Sequence, residues 1–254
     1  MQSHLSMLIF MVSMLYMPLN VNAETPNGMM LIPEGFYTPL FKSDDGPKDI
    51  AVDAFLLDTL LVTNKQFIAF TKKAPEWNKI NRKNIFSDVN YLKHVSDKPS
   101  SHLPHTPVVN VSWFAARAYC KAINKRLPTV AEWEYAAAAS QTQSNGKNEP
   151  GYKQQILDWY AKPASAALPE VKDTLANFWG VKGMHGVVWE LVSDFNTSLI
   201  TGESRGDSQL EKSLFCGAGA ASSADPGDYA AFMRYALRSS YEANYTMESL
   251  GFRC

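Results

Sequence analysis

Three cysteines, Cys120, Cys216 and Cys254, are the softest donors in the chain and its strongest potential nucleophiles. Cys216 stands two residues before Ala218-Gly219-Ala220, where a thiolate could serve as a metal ligand or redox group. No His, Lys or Arg adjoins it to depress its pKa, so a thiol packed quietly in a strand is the plainer reading. His102 and His105 lie three apart across Pro104, a spacing open to metal binding but equally suited to two solvated loop side chains. Met29, Met30, Met184, Met233 and Met247 form no repeated Met-x-x-Met pattern, so nothing local announces a copper carrier. Arg234 and Arg238 are four apart; tying loops together through carboxylates and carbonyls suits them better than binding an anion. The chain has no Gly-x-Gly-x-x-Gly, P-loop, serine nucleophile elbow or His-Glu-x-x-His. Arg205-Gly206-Asp207 is short enough to arise by chance, and the Asn-x-Ser/Thr triplets at Asn110, Asn196 and Asn244 matter only in a glycosylating host.

Residues 1–23 read as an export signal: a polar start, an apolar run from Leu8 to Leu19, and Val21-Asn22-Ala23 ahead of a cut after Ala23. The run is too short to span a bilayer comfortably. Residues 24–254 then form a single domain, long enough to bury a sizeable core. The formal net charge of −1 argues against nucleic acid or an anionic membrane as a partner, since both call for a basic excess. In an oxidising compartment three cysteines allow one bridge and leave one thiol over.

Positioning these groups requires elements, and helices are marked early. Thr63 with Gln66, and Thr129 with Glu132, have capping-box spacing, while a further helix starts near Ser112. Phe67 and Phe70 fall on one face of the first helix. Trp113, Ala116, Cys120 and Ile123 make one stripe on the second, and Trp133, Ala136 and Ala137 line the third. Residues 29–37 read as one short strand and 49–62 as another, whereas 71–106 and 140–153 read as exposed loops. From Trp159 onward the pattern suggests short strands and turns with no long helix, and helices early with irregular β late mean an α+β fold.

Four stretches together resemble the formylglycine-generating, sulfatase-modifying enzyme family: "VTNKQFIAF", "PVVNVSWFAARAYCKAINKRLPTVAEWEYAA", "GMHGVVWEL" and "LGFRC". They occur in the family's order and cover nearly all of residues 24–254. "DFNTSLITGESRGD", "LFCGAGA", "DYAAFMRYALRSS" and "LGFRC" are similar to a finer branch, described as nitrite-reductase accessory proteins of the NirV type. The resemblance implies a domain with a C-type-lectin-like core and little regular secondary structure. It further implies a periplasmic or secreted protein whose partner is a nitrite reductase or its maturation apparatus.

Family oxidases, as the resemblance has it, hold copper(I) with two cysteines between a glycine-rich strand and the final Gly-Phe-Arg. Here residues 217–253 contain no cysteine. Ala230 takes the second position and the first falls near Ser222 or Asp225, so copper is not expected and neither is formylglycine formation. The resemblance also implies a bridge between Cys120 and Cys254, and the loss of another at both ends, Ala137 and Tyr235. A calcium site would use positions 183, 186, 188 and 190; Gly183 supplies no side-chain oxygen, which leaves Gly186, Val188 and Glu190 as possible ligands. Trp189 matches a wall of the family's oxygen pocket, and His185 belongs to its signature turn. The leading expectation is thus an exported accessory or binding protein. Two alternatives are a metal-dependent enzyme of altered chemistry using Cys216 with Trp189, Glu190 or Tyr235, and a calcium-assisted, lectin-like binding module.

Overall fold

A computed structural model describes residues 25, 28–40, 49–95, 104–161, 167–195 and 226–254. The expected export signal, Cys216, Ser222 and Asp225, and His102 lie outside the described residues. The first elements form a two-stranded ribbon. Strand β1 (Met29–Ile32) pairs antiparallel with β4 (Phe55–Asp58), and β2 (Gly35–Tyr37) pairs with β3 (Ile50–Val52) in the same continuous register. Each of the two strands expected here is therefore broken in two, at Pro33-Glu34 and at Asp53-Ala54. Proline has no N–H to give a ladder, which ends the pairing on its side.

Helix α1 (Asn64–Lys73) begins at Thr63, whose hydroxyl accepts from Gln66 N–H while the Gln66 side chain accepts from Thr63 N–H. Ser112 caps α2 (Trp113–Ala122), and Thr129 with Glu132 closes a capping box on α3 (Val130–Ala137). These three starts stand where the spacing places them. The inner face of α2 is Ala115, Ala116, Tyr119 and Cys120; Ile123, the expected end of its stripe, is the C-cap and is exposed. Residues 71–95 are less exposed than expected, since Tyr91 and Leu92 are buried in the main core.

Helix α4 (Tyr152–Tyr160) follows the 140–153 stretch, and α5 (Pro226–Ser240), 15 residues long, overturns the expectation of no long helix from Trp159 onward. Ala, Met, Leu and Arg in the latter are strong helix formers, and with no proline after Pro226 nothing breaks the run. A parallel pair, β5 (Trp189–Glu190) with β6 (Leu250–Gly251), completes a set of small sheets among helices, an α+β architecture.

The core closes around the C-terminal segment. Phe252 sits against Phe67 and Tyr119 at ring separations of 6.0 and 5.5 Å, Val62 N–H donates to its carbonyl, and Asp58 N–H donates to that of Cys254. Only glycine fits at 251, where a Cβ would come within 2.9 Å of the Val108 carbonyl oxygen. Cys120 and Cys254 are joined as a disulfide, their Cα atoms 5.7 Å apart and 134 residues apart in sequence. Among the described residues no helix is long and apolar enough to cross a membrane.

Candidate functional site

A hollow of aromatic rings and arginines lies where α3, α4, α5 and the 181–190 segment meet. Trp133 (α3), Trp159 (α4), Trp189 (β5), Met184, Arg234 and Arg238 line it. Helix α5 brings Arg234 and Arg238 to one face because i and i+4 stack one turn apart. Both reach Glu134 on α3, a carboxylate buried between Trp133 and Tyr135. Arg234 grips it bidentately, Nε donating to Oε1 at 2.8 Å and Nη2 to Oε2 at 2.7 Å, and Arg238 Nη1 donates to Oε1 at 2.5 Å. Arg234 Nη1 also donates to Tyr160 Oη at 3.3 Å. The two guanidinium carbons lie 5.6 and 5.0 Å from the Trp133 ring centre, within cation–π range.

Burial alone would raise the Glu134 carboxyl, but the Coulombic pull of Arg234 and Arg238 and their hydrogen bonds outweigh it and hold the group at about 2. For Arg234, burial opposes the charge while Glu134 more than restores it, so its pKa is raised. Two cations thus share one anion, and the cluster carries one surplus positive charge. Carboxylates are what the arginines were expected to meet. What differs is that they meet one shared carboxylate from one helical face.

Beside this cluster lies a groove with about 280 Å³ of open space, bordered by Tyr152, Ile156, Leu175 and His185. His185 Nε2–H donates to the Ala137 carbonyl at 2.9 Å, and Tyr152 Oη–H reaches the same oxygen at 2.7 Å. Burial first, and then Arg234, depress the His185 pKa to about 4, so the ring is neutral at pH 7. Its role in this turn is to tie α3 to the 181–190 segment.

The other expected site residues separate into two places. Trp189 joins Trp159 and Tyr160, ring centres 5.4 and 5.1 Å away, in an aromatic cluster beside the hollow. Ala230 is buried, and its carbonyl accepts from Tyr160 Oη–H at 3.3 Å. Tyr235 is half-buried on α5, and Ala137 is buried on α3. Glu190 also borders the hollow, but its carboxylate is fully enclosed and gripped by Arg253, with Nε at 2.7 Å and Nη2 at 2.8 Å.

That pair bears on calcium. Gly183, at φ +67°, has a backbone suited to glycine and brings no side-chain oxygen. Both oxygens of Glu190 are engaged by a cation, so what remains at these positions is the backbone of Gly186 and Val188, far short of six to eight oxygens. The donors present do not fit a calcium ion. Among the described residues no three His, Cys, Asp or Glu side chains converge to hold a metal.

Glu134, Trp159 and Tyr160 are functional neighbours that the sequence reading did not single out. One signal was present: Glu134 is a charged residue within the apolar helical stretch Val130–Ala137, which asks for a cationic partner without saying which.

A domain of small sheets and helices, closed by a buried Gly-Phe-Arg-Cys terminus over an aromatic hollow, is the class that the fold and site define. The chain belongs to the family of sulfatase-modifying factor enzyme 1-like domains, whose family profile matches residues 17–254. It is 32% identical over 169 residues to the formylglycine-generating enzyme of Streptomyces coelicolor, 59% of this chain and 52% of that protein. It is 28% identical over 165 residues to the inactive C-alpha-formylglycine-generating enzyme 2 of Mus musculus, 53% of this chain and 49% of that protein. The chain thus spans about half the length of either relative. Superposition on PvdO from Pseudomonas aeruginosa gives a TM-score of 0.46 at 17% identity, covering 89% of this chain and 92% of that one.

Proposed function

We propose that this chain is an exported, non-oxidase member of its family that acts as an accessory protein for a nitrite reductase or its maturation apparatus. The observation that carries the non-oxidase half is the absence of any cysteine from residues 217–253, with Ala230 buried on α5 where the resemblance would place a copper ligand. Alanine offers copper(I) no donor, and among the described residues lining that hollow the one soft donor is the single thioether of Met184, which does not make a thiolate pair. A relative named inactive is consistent with a domain of this kind kept without the oxidase activity. The branch resemblance supports the nitrite-reductase half and the C-type-lectin-like core.

Two measurements test the reading. Mass spectrometry of a sulfatase-type cysteine peptide incubated with the purified protein and copper should show no formylglycine; conversion would overturn the non-oxidase half. Deleting the gene in its host should lower nitrite reductase activity, and unchanged activity would overturn the partner.

One observation favours a second reading, a ligand-binding module. The hollow at the Glu134, Arg234 and Arg238 cluster has only about 10 Å³ of free space, but its surplus positive charge would suit a small organic anion held in the adjoining 280 Å³ groove, with which it shares Trp159 and Met184. Loss of thermal stabilisation by such an anion in Arg238→Met would support it.

A further inference from the structure

The groove beside the hollow is lined by two kinds of side chain, and only one kind is used by the fold. Its apolar part comes from Ile156 and Trp159 on α4, with Val187 and the 66% exposed Leu175. Tyr152 adds a ring, its hydroxyl being held by the carbonyls of Ala137 and Ala139 at 2.7 and 3.0 Å. The free space of about 280 Å³ falls just below the roughly 300–1,000 Å³ usual for small-molecule pockets, which is room for one small molecule. Among the polar side chains, Ser140, Thr174 and Asn177 are tied to the backbone. Gln141, Gln155 and Asp173 are not. All three are exposed, and their side chains have no hydrogen bond or salt bridge among the described residues. Lys172, next to Asp173, pairs instead with Glu170 at 3.1 Å.

The arginine cluster reaches this space through its field. Burial is the first influence on both His185 and Tyr152, lowering the pKa of one and raising that of the other. Arg234 comes second at each and outweighs Glu134. The surplus positive charge is thus felt across Trp159 and Met184, the two side chains that border both spaces. One small volume therefore combines an apolar wall, a positive field, two unengaged amides and one unpaired carboxylate.

We propose that this groove binds a single free amino acid with an apolar side chain. Its carboxylate is the anion of the ligand-binding reading above, on which this inference rests, and it takes the positive field and the amide N–H groups of Gln141 and Gln155. Its ammonium group pairs with Asp173 in a charge-assisted hydrogen bond. Its side chain lies against Ile156 and Trp159, where apolar burial adds affinity. A plain carboxylate would leave Asp173 without a cation, and a sugar would gain nothing from the field.

Isothermal titration calorimetry of the purified full chain tests this, with L-phenylalanine and L-leucine as probes. Phenylpropionate, which lacks the ammonium group, and D-glucose serve as comparisons. At least one of the two amino acids should bind with a Kd below about 1 mM, and phenylpropionate at least tenfold more weakly than L-phenylalanine. Asp173→Asn should weaken the amino acid at least tenfold and leave phenylpropionate unchanged. Because Asp173 is exposed and unpaired, that variant should keep the wild-type denaturation midpoint. No binding of either amino acid, D-glucose binding as tightly as they do, or an affinity indifferent to Asp173→Asn would overturn the inference. Phenylpropionate binding as tightly as L-phenylalanine, and lost in Arg238→Met, would sink it while keeping the small-anion reading. Amino-acid binding that depends on Asp173 but not on Arg238 would do the reverse.

Discussion

Two buried carboxylate–arginine assemblies hold this molecule together, and they are built to opposite plans. Glu190 and Arg253 pair one to one, fully enclosed, and Arg253 spends its remaining donors on the carbonyls of Asp58 and Lys182. Glu134 is shared by Arg234 and Arg238 at the edge of a hollow, leaving one charge in surplus. A balanced pair with every donor satisfied resists change from all sides, whereas a surplus charge beside a hollow of about 10 Å³ that adjoins a 280 Å³ groove is less tightly held by its surroundings. The difference separates a lock from a place where binding can evolve.

The lock should break hardest. Glu190→Gln strands the Arg253 guanidinium in the core, and removing one partner of a buried pair costs about 3–5 kcal/mol. Urea denaturation should show a loss of that size, and a loss below 1 kcal/mol would mean that water reaches Arg253. Replacing Cys120 and Cys254 together by Ser, which opens a 134-residue loop at the same end of the molecule, should cost about 2–4 kcal/mol. Equal stability with and without reductant would show the bridge to be energetically idle.

The hollow's side of the comparison is sensitive to pH. His185 has a folded pKa near 4, below its unfolded value, so its neutral form contributes stability above pH 6.5 that is lost as pH falls toward 4. His94, depressed to about 4 by burial and then by Lys79, acts in the same direction. A shift of this size corresponds to about 3 kcal/mol for the buried His185 and less for the partly exposed His94, so together they should make the protein less stable by roughly 3–5 kcal/mol at pH 4 than at pH 7, and His185→Gln should flatten part of that slope. Glu134 enters lower: its carboxyl, held at about 2, contributes stability that is lost only as pH falls from about 4.5 toward 2.

The smallest effect should come from the surplus arginine. Arg238→Met removes one cation and leaves Glu134 bidentately paired with Arg234, so stability should move by no more than about 1 kcal/mol in either direction. Arg234→Met should cost more, since it also removes the Tyr160 contact. Equal losses would show that the cluster is a second lock and erase the distinction between the two regions.

What was legible in the sequence was local. The caps at Thr63, Ser112 and Thr129 depend on groups three residues apart, so spacing alone reveals them. Helix α5 was legible in its propensities, yet the short-strand-and-turn pattern read from Trp159 onward passed it over. Glu134 with Arg234 and Glu190 with Arg253 were not legible as pairs, being separated by 100 and 63 residues.

The amino-acid order alone decided which reactive groups exist: residues 217–253 hold no thiol, and no folding can supply one. It also decided where helices begin, because capping is a contact between near neighbours in the chain. Only the tertiary structure decided how charge is distributed, assigning two arginines to Glu134 and one to Glu190. Electrostatic pairing depends on distance in space, and packing brought together residues that the chain keeps far apart.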